Sequence, residues 1–259
     1  MTSEVEWAGL IRQAQGAPRL PPPEAVEVGH VWTDNVSRPF AVACTDEQVW
    51  VAKAVRTERY WEHFVSTGHA LAAEQVVGRL GRLIGAAVPP IGYVRLPAEL
   101  SALHPDLTGC SPGWCHASKW LGMCIDQKPP PPASGAAQRQ AYGTLAVLYG
   151  WCGAADRQVL QTTDGSGAVW SVDHGRFFGG TGRWNAVSLH GYGVPATLDP
   201  FFVDHGDAAA TATALASARA VDDALIAKVV GCSLPEWDVP LDDLVALAEL
   251  LSARRDALV

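Results

Sequence analysis

The apolar positions in the first quarter of the chain occur in short runs of the kind that form β-strands. Residues 26–32, 40–44 and 49–55 are rich in β-branched and aromatic side chains. Polar breaks separate these runs, such as Asp34-Asn35 and the acidic turn that begins at Thr45. The pattern predicts three strands that form an antiparallel meander.

The spacing of apolar residues becomes helical over residues 68–83. Leu71, Val76 and Leu80 belong to a set of apolar positions at helical spacing, and charged or polar residues lie between them. Gly85 and the prolines at 89 and 90 then favour an end to the helix. The same criteria predict the other early elements, which are a short helix over residues 4–15 and strands over residues 91–96 and 116–121.

The second half of the chain has a mainly helical pattern. A proline-rich and then glycine-containing connector covers residues 127–135. Beyond it we expect helices over residues 136–152, 208–220, 222–230 and 241–258, and a β-hairpin formed by residues 158–161 and 168–172. This order predicts an α+β protein with two lobes, an antiparallel strand-rich lobe over residues 1–126 and a mainly helical lobe over residues 136–259.

Composition narrows the classes of function. The formal net charge of the 259-residue chain is −8, which argues against an extended nucleic-acid-binding surface. No stretch is apolar for long enough to cross a bilayer, and the acidic start does not have the form of a signal peptide. The six cysteines do not follow zinc-site spacing. We therefore expect a cytoplasmic protein with reduced thiols that binds neither nucleic acid nor membrane.

A lysine and a glutamate form the first candidate pair. Lys53 lies in the apolar strand VWVAKAV, where a buried ammonium group would need an anionic partner. Glu74, on the helix predicted next, is a suitable partner, and such a strand–helix pair holds nucleotide phosphates in protein kinases. Taken singly, Lys53 could keep its amine in water and Glu74 could lie on a solvated helix face.

Two aspartates form the second candidate pair. Asp156 follows a predicted helix and precedes the predicted hairpin, and Asp173 follows that hairpin. Because a hairpin returns the chain to its starting side, the two carboxylates can converge, as phosphoryl transfer requires. Taken singly, either aspartate could be an ordinary turn residue. The scattered histidines, including His116 and His174, match no common zinc spacing and are expected to be structural or surface residues.

The segments around these aspartates resemble the HipA-like kinase family. WCGAADRQVLQ and VWSVDHGRFF are similar to that family's catalytic and metal-binding loops. LAAEQVVGRLGRLIGAAVPPIGYV resembles its glutamate-bearing helix and the strand after it, HASKWL its hinge-entering strand, and PEWDVPLDDLVALAELLSARRDAL its terminal helix. The resemblance implies a bilobal protein-kinase-like fold and an ATP- and Mg²⁺-dependent phosphotransferase that acts on a Ser or Thr hydroxyl, in a protein or a small molecule.

The resemblance also implies roles for individual residues. Asp156 would be the catalytic aspartate, and Asp173 would bind Mg²⁺ with Gln161 as the second metal ligand. Lys53, held by Glu74, would contact the nucleotide phosphates. The turn over residues 35–38, with Asn35 and Ser37, would cover the phosphates, and the adenine edge would be formed by Lys119, Trp120 and Leu121.

Two departures from the family pattern support an alternative. The family's second metal ligand is usually asparagine and is Gln161 here, and the histidine that usually follows the Asp-Arg pair is Gln158. The turn over residues 35–38 has no glycine, which makes a close backbone approach to phosphate harder. The alternative is a nucleotide-binding pseudokinase that acts as a protein-interaction module without catalysis.

Overall fold

The computed structural model describes residues 5–35, 37–56, 67–179, 182–193 and 196–259. The chain is an α+β protein with antiparallel sheets and helices. Its strands are β1 Ala25–Val31, β2 Phe40–Cys44, β3 Val49–Lys53, β4 Ile91–Leu96, β5 Gly113–Lys119, β6 Cys124–Gln127, β7 Val159–Thr162 and β8 Val169–Ser171. Its α-helices are α1 Trp7–Gly16, α2 Gly68–Leu83, α3 Ala98–Leu103, α4 Ala136–Cys152, α5 Ala186–Gly191, α6 Pro200–His205, α7 Ala208–Arg219, α8 Asp223–Val230 and α9 Leu241–Ala257.

The larger sheet has five strands in the order β1-β2-β3-β5-β4. The predicted meander β1-β2-β3 is therefore present, and β5 pairs with both β3 and β4. Strand β5 begins three residues before the predicted residue 116 because Arg95 pairs with Trp114 and Leu96 with Gly113. Lys53, at the end of β3, lies opposite His116 on β5.

Helix α2 has the bounds that the sequence predicts. Its N-cap residue Thr67 accepts a hydrogen bond from the backbone of Ala70, and Gly85 follows its C-terminal end with φ +71°. The helix is buried on most of its surface because it contacts β4 and β5 on one side and α4 and α8 on the other. A charged residue near its centre, Glu74, is therefore held inside the protein.

A second sheet has three strands in the order β6-β7-β8. The hairpin β7-β8 agrees with the prediction, but β6 was missed, since four residues carry too little pattern to identify a strand. Strand β6 ends at Gln127, where the predicted connector begins, and its hydrogen bonds go to β7. The last residues of the predicted first lobe therefore pair with the β7-β8 hairpin of the predicted second lobe.

The main hydrophobic core is formed by helices from both ends of the chain. Helix α4, whose predicted bounds are correct, supplies Trp151, and the indole of Trp151 donates to the backbone carbonyl of Leu251 on α9 at 2.9 Å. Helix α1 packs on α8 and α9; Glu4, where α1 was predicted to begin, lies outside the described residues. The short helices α3, α5 and α6 were not predicted. In the part of the chain that the structure describes, no helix combines the length and apolar character needed to cross a bilayer.

Candidate functional site

Lys53 and Glu74 form a buried ion pair between the sheet and helix α2. Lys53 Nζ donates to Glu74 Oε1 at 2.5 Å, and the two residues are only 8% and 3% exposed. Burial alone would raise the pKa of Glu74, but the charge and hydrogen bond of Lys53, together with His116 and His174, outweigh it and hold that pKa well below its usual range. The interpretations in which the lysine amine lies in water or the glutamate lies on a solvated helix face are therefore wrong.

Asp173 is the second partner of Lys53. Lys53 Nζ also donates to Asp173 Oδ1 at 2.6 Å, across 120 positions of the sequence. Burial would lower the pKa of Lys53, but the charges of Asp173 and Glu74 outweigh it and raise that pKa above its usual range. Asp173 has φ +60° and ψ +56°, a left-handed conformation that aspartate and asparagine tolerate better than most residues. It directs the carboxylate toward Lys53 immediately after β8.

Glu74 also fixes the backbone that follows Asp173. The backbone N–H groups of His174 and Gly175 both donate to its carboxylate at 3.1 Å. One carboxylate therefore binds the lysine from β3 and the loop after β8 at the same time. Helix α2 consequently sets the distance between Lys53 and Asp173.

Two buried histidines lie beside Glu74. His116 Nε2 is 3.9 Å and His174 Nδ1 is 3.7 Å from Glu74 Oε2. Burial lowers the pKa of both histidines, that of His116 to about 4. His174 Nε2 lies 2.8 Å from Ser171 Oγ, which lies 2.6 Å from the hydroxyl of Tyr149. The histidines were predicted only as structural or surface residues, and their contact with the site was not found because β5 and the loop after β8 meet only in the folded protein.

A cavity of about 310 Å³ opens from this ion-pair cluster, a volume within the range of small-molecule sites. Lys53, Glu74 and Asp173 lie at its charged end. Apolar side chains from both sheets form another part of the wall, namely Val51, Pro89, Ile91, Leu160 and Val172. The indole rings of Trp32 and Trp120 lie with their centroids 6.0 Å apart and also line it.

Most of the predicted binding residues line this cavity. They are Asn35, Ser37, Lys119, Trp120 and Leu121, in addition to Lys53 and Glu74. Val36, in the predicted cover turn, lies outside the described residues. The sequence therefore located residues from four separate segments that fold around one cavity.

Asp156 and Gln161 do not line the cavity. Gln161 pairs with Ile125 and Val169 in the small sheet, one position after the cavity-lining Leu160, so its side chain projects from the other face of β7. Asp156 accepts a hydrogen bond from Lys128 Nζ, which lies 2.5 Å from its Oδ2. The structure thus brings Asp173 to the cavity, whereas Asp156 and Gln161 do not line it.

Asp126 and Gln158 occupy the side of the cavity where Gln161 was expected. Both line it, and Gln158 Nε2 donates to Asp126 Oδ2 at 2.8 Å. Burial raises the pKa of Asp126; the Gln158 hydrogen bond and the charge of Lys128 oppose this effect, while Asp173 and Asp156 add to it. Gln158 was noticed only as a departure from the family pattern, and Asp126 lies in a short polar run that becomes informative once β6 is known to be a strand.

The oxygen atoms in this region suit a hard divalent cation. Among the described residues, no group of three or more His, Cys, Asp or Glu side chains is arranged to hold a metal ion by itself. Mg²⁺, however, is usually bound by one or two carboxylates together with substrate phosphates and water. The carboxylates of Asp173 and Asp126 and the amide oxygen of Gln158 provide ligands of that kind along one wall.

Comparisons with known proteins give distant structural neighbours. No protein-family model matches the sequence, and no curated protein matches it. The chain is similar to the crystal structure of the Golgi casein kinase, with a TM-score of 0.45, 13% identity, and coverage of 97% of this chain and 76% of that chain. It is also similar to the Golgi casein kinase with Mn/ADP bound, with a TM-score of 0.44, 14% identity and the same coverage of the two chains, 97% and 76%.

Proposed function

We propose that the protein is an ATP- and Mg²⁺-dependent phosphotransferase with a bilobal, protein-kinase-like organisation of the HipA-like type. The observation that supports this proposal most strongly is the double ion pair of Lys53. Lys53 binds Glu74 at 2.5 Å and Asp173 at 2.6 Å at the charged end of a cavity. A buried lysine held between a helix glutamate and a metal-binding aspartate is what kinases use to position nucleotide phosphates.

The walls of the cavity suit the parts of a nucleotide. The apolar residues and Trp120 would contact the base, and Asn35 and Ser37 would lie over the phosphates. Asp173 would hold Mg²⁺, and we assign its second protein ligand to Asp126 or Gln158, because Gln161 does not line the cavity. The cation, when bound, neutralises the charge that develops on the phosphate oxygens.

Asp156 would act on the acceptor hydroxyl. In the transfer step the acceptor oxygen forms a bond to the γ-phosphorus, and the bond from that phosphorus to the β–γ bridging oxygen breaks. The hydroxyl proton passes to the Asp156 carboxylate, and ADP leaves with the electron pair of the broken bond. Asp156 is suited to this role because its side chain is 22% exposed and can meet an acceptor arriving from solvent. We propose a Ser or Thr hydroxyl of a protein as the acceptor.

The direct test is nucleotide binding to the Asp173→Asn variant. Asparagine tolerates the left-handed backbone at this position, so the variant should fold, while its Mg²⁺-dependent ATP affinity should fall by about tenfold or more. Isothermal titration with ATP, in the presence and absence of Mg²⁺, measures this loss. The exposed Asp106, changed to asparagine, is the matched control. Equal Mg²⁺-dependent affinity of wild type and Asp173→Asn would contradict the metal assignment.

The placement of two residues favours a second candidate, a nucleotide-binding pseudokinase. Asp156 is paired with Lys128, and Gln161 faces away from the cavity. A protein of this class would bind Mg·ATP through Lys53 and Asp173 and would act through a protein partner. Transfer of the γ-phosphate to a mixture of Ser- and Thr-containing peptides separates the two candidates. Binding with neither transfer nor ATP hydrolysis would support the pseudokinase.

A further inference from the structure

The end of strand β6 and the segment before β7 form two polar contacts. In the antiparallel pair, Asp126 lies opposite Leu160 and Gln127 opposite Val159, and Lys128 directly follows the strand. Both Asp126 and Lys128 contact the segment before β7: Asp126 binds Gln158 at 2.8 Å, and Lys128 binds Asp156 at 2.5 Å. The residues of the first contact line the cavity, and those of the second lie two positions away from them in the chain and do not line it.

Lys128 is more accessible to solvent than Lys53. Its side chain is 47% exposed, whereas Lys53 is 10% exposed and already binds two carboxylates. The neighbouring cation Arg157 is bound by both carboxylate oxygens of Asp199, at 2.9 and 2.8 Å. Among the described residues, Lys128 makes one hydrogen bond, to a partly exposed carboxylate that a more highly charged anion can displace.

We propose that Lys128 binds the terminal phosphate of the nucleoside triphosphate and leaves Asp156 when it does so; this inference rests on the proposed function. Under the proposed function Asp156 accepts the proton of the hydroxyl that attacks the terminal phosphorus, so Lys128, which binds Asp156, lies beside the terminal phosphate. Exchange of the carboxylate for the phosphate requires only rotation of a flexible side chain and changes no covalent bond. It would also free the Asp156 carboxylate for the acceptor hydroxyl at the moment when the triphosphate is in place.

The test compares a triphosphate with a diphosphate in the presence of Mg²⁺. Isothermal titration of the full chain uses AMP-PNP, a non-hydrolysable ATP analogue, and ADP. Lys128→Met should weaken AMP-PNP binding by about tenfold and leave ADP affinity within about twofold, since only the triphosphate reaches the lysine. Lys128→Arg should keep the preference for the triphosphate. Lys228 lies on the exposed face of α8, far from Lys128 in the sequence. The control Lys228→Met removes the same charge and should change neither affinity.

A second variant tests the exchange with Asp156. Asp156→Asn removes the resting partner of Lys128, so AMP-PNP affinity should stay equal or increase, and the loss caused by Lys128→Met in this background should be at least as large. Lys128→Met could instead lose AMP-PNP and ADP affinity equally, or lose neither. Either result would overturn the role of Lys128 and leave the proposed function standing. A wild-type chain that binds neither nucleotide would overturn the proposed function and this inference together.

Discussion

Glu74 accepts the backbone N–H of Gly175 at 3.1 Å while it binds Lys53 with the same oxygen, Oε1. Helix α2 and the loop after β8 are thereby joined at one atom, although 101 positions separate the two residues in the chain. The relative position of Lys53 and Asp173 therefore depends on a residue that need not touch the ligand. This arrangement makes Glu74 a positioning residue of the candidate site.

Glu74→Gln should destabilise the protein and weaken nucleotide binding. The change keeps the shape of the side chain but removes the charge that compensates the buried Lys53, and the loss of one partner of a buried pair costs about 3 kcal/mol. Urea unfolding measures the free energy, and titration with Mg·ATP measures the affinity. Glu99→Gln, in the first turn of α3 and exposed, is the control. A Glu74→Gln protein as stable as wild type would show that the pair contributes no stability.

Gly68→Ala tests the contact between helix α2 and the segment after α8. A Cβ atom at residue 68 would lie 1.7 Å from the backbone carbonyl oxygen of Trp237, and backbone cannot move aside as a flexible side chain can. We expect a loss of about 2–3 kcal/mol in the free energy of unfolding, measured in urea.

Gly16→Ala is the matched control for this prediction. Gly16 ends α1, and a Cβ atom added there would have no neighbouring atom within 4 Å. Alanine there should leave stability unchanged or raise it by up to about 0.5–1 kcal/mol, because it restricts the unfolded chain. Similar effects of the two substitutions would mean that the close packing at Gly68 is not maintained in solution.

The sequence predicted helices α2 and α4 at their observed bounds because both combine long apolar periodicity with clear ends. It also predicted Lys53, Glu74 and Asp173, since a lysine in an apolar strand and an aspartate after a hairpin are unusual enough to be noticed. It assigned the second metal ligand to Gln161, which does not line the cavity. Side chains alternate along a strand, so the exact start of β7 decides which glutamine faces the cavity, and local sequence does not fix that start.

Asp126 and Lys128 could not be found from the sequence for a different reason. Strand β6 is four residues long, and it forms only because β7 lies beside it in the folded chain. Before that pairing is known, the local sequence indicates only that the two residues belong to a polar segment next to a proline-rich connector. The outer part of the candidate site is therefore a product of tertiary structure, whereas its buried part is encoded by recognisable local patterns.

The stability of the protein should fall as the pH decreases below neutrality, because His116 stays neutral in the folded state. Burial lowers its pKa from 6.5 to about 4, with Glu74 opposing and Lys53, His174 and Arg79 adding to the effect. Between these values the unfolded chain takes up a proton that the folded chain does not. Each pH unit in this window therefore costs about 1.4 kcal/mol for this residue. Because the pKa of Glu74 is lowered, Glu74 adds to the loss of stability only where the pH falls below 4.5, its ordinary pKa.

Urea unfolding of wild type and His116→Gln across that window isolates the contribution of His116. The variant has no imidazole at this position, so its free energy of unfolding should depend less steeply on pH. The slope should decrease by about the amount that the uptake of one proton contributes, even where the variant is less stable at neutral pH. His190→Gln is the control, because His190 lies on the surface at the end of α5 and its side chain is 64% exposed. If His116→Gln kept the wild-type slope, the buried imidazole would have to be protonated with little cost, and the neutral state assigned to it would be incorrect.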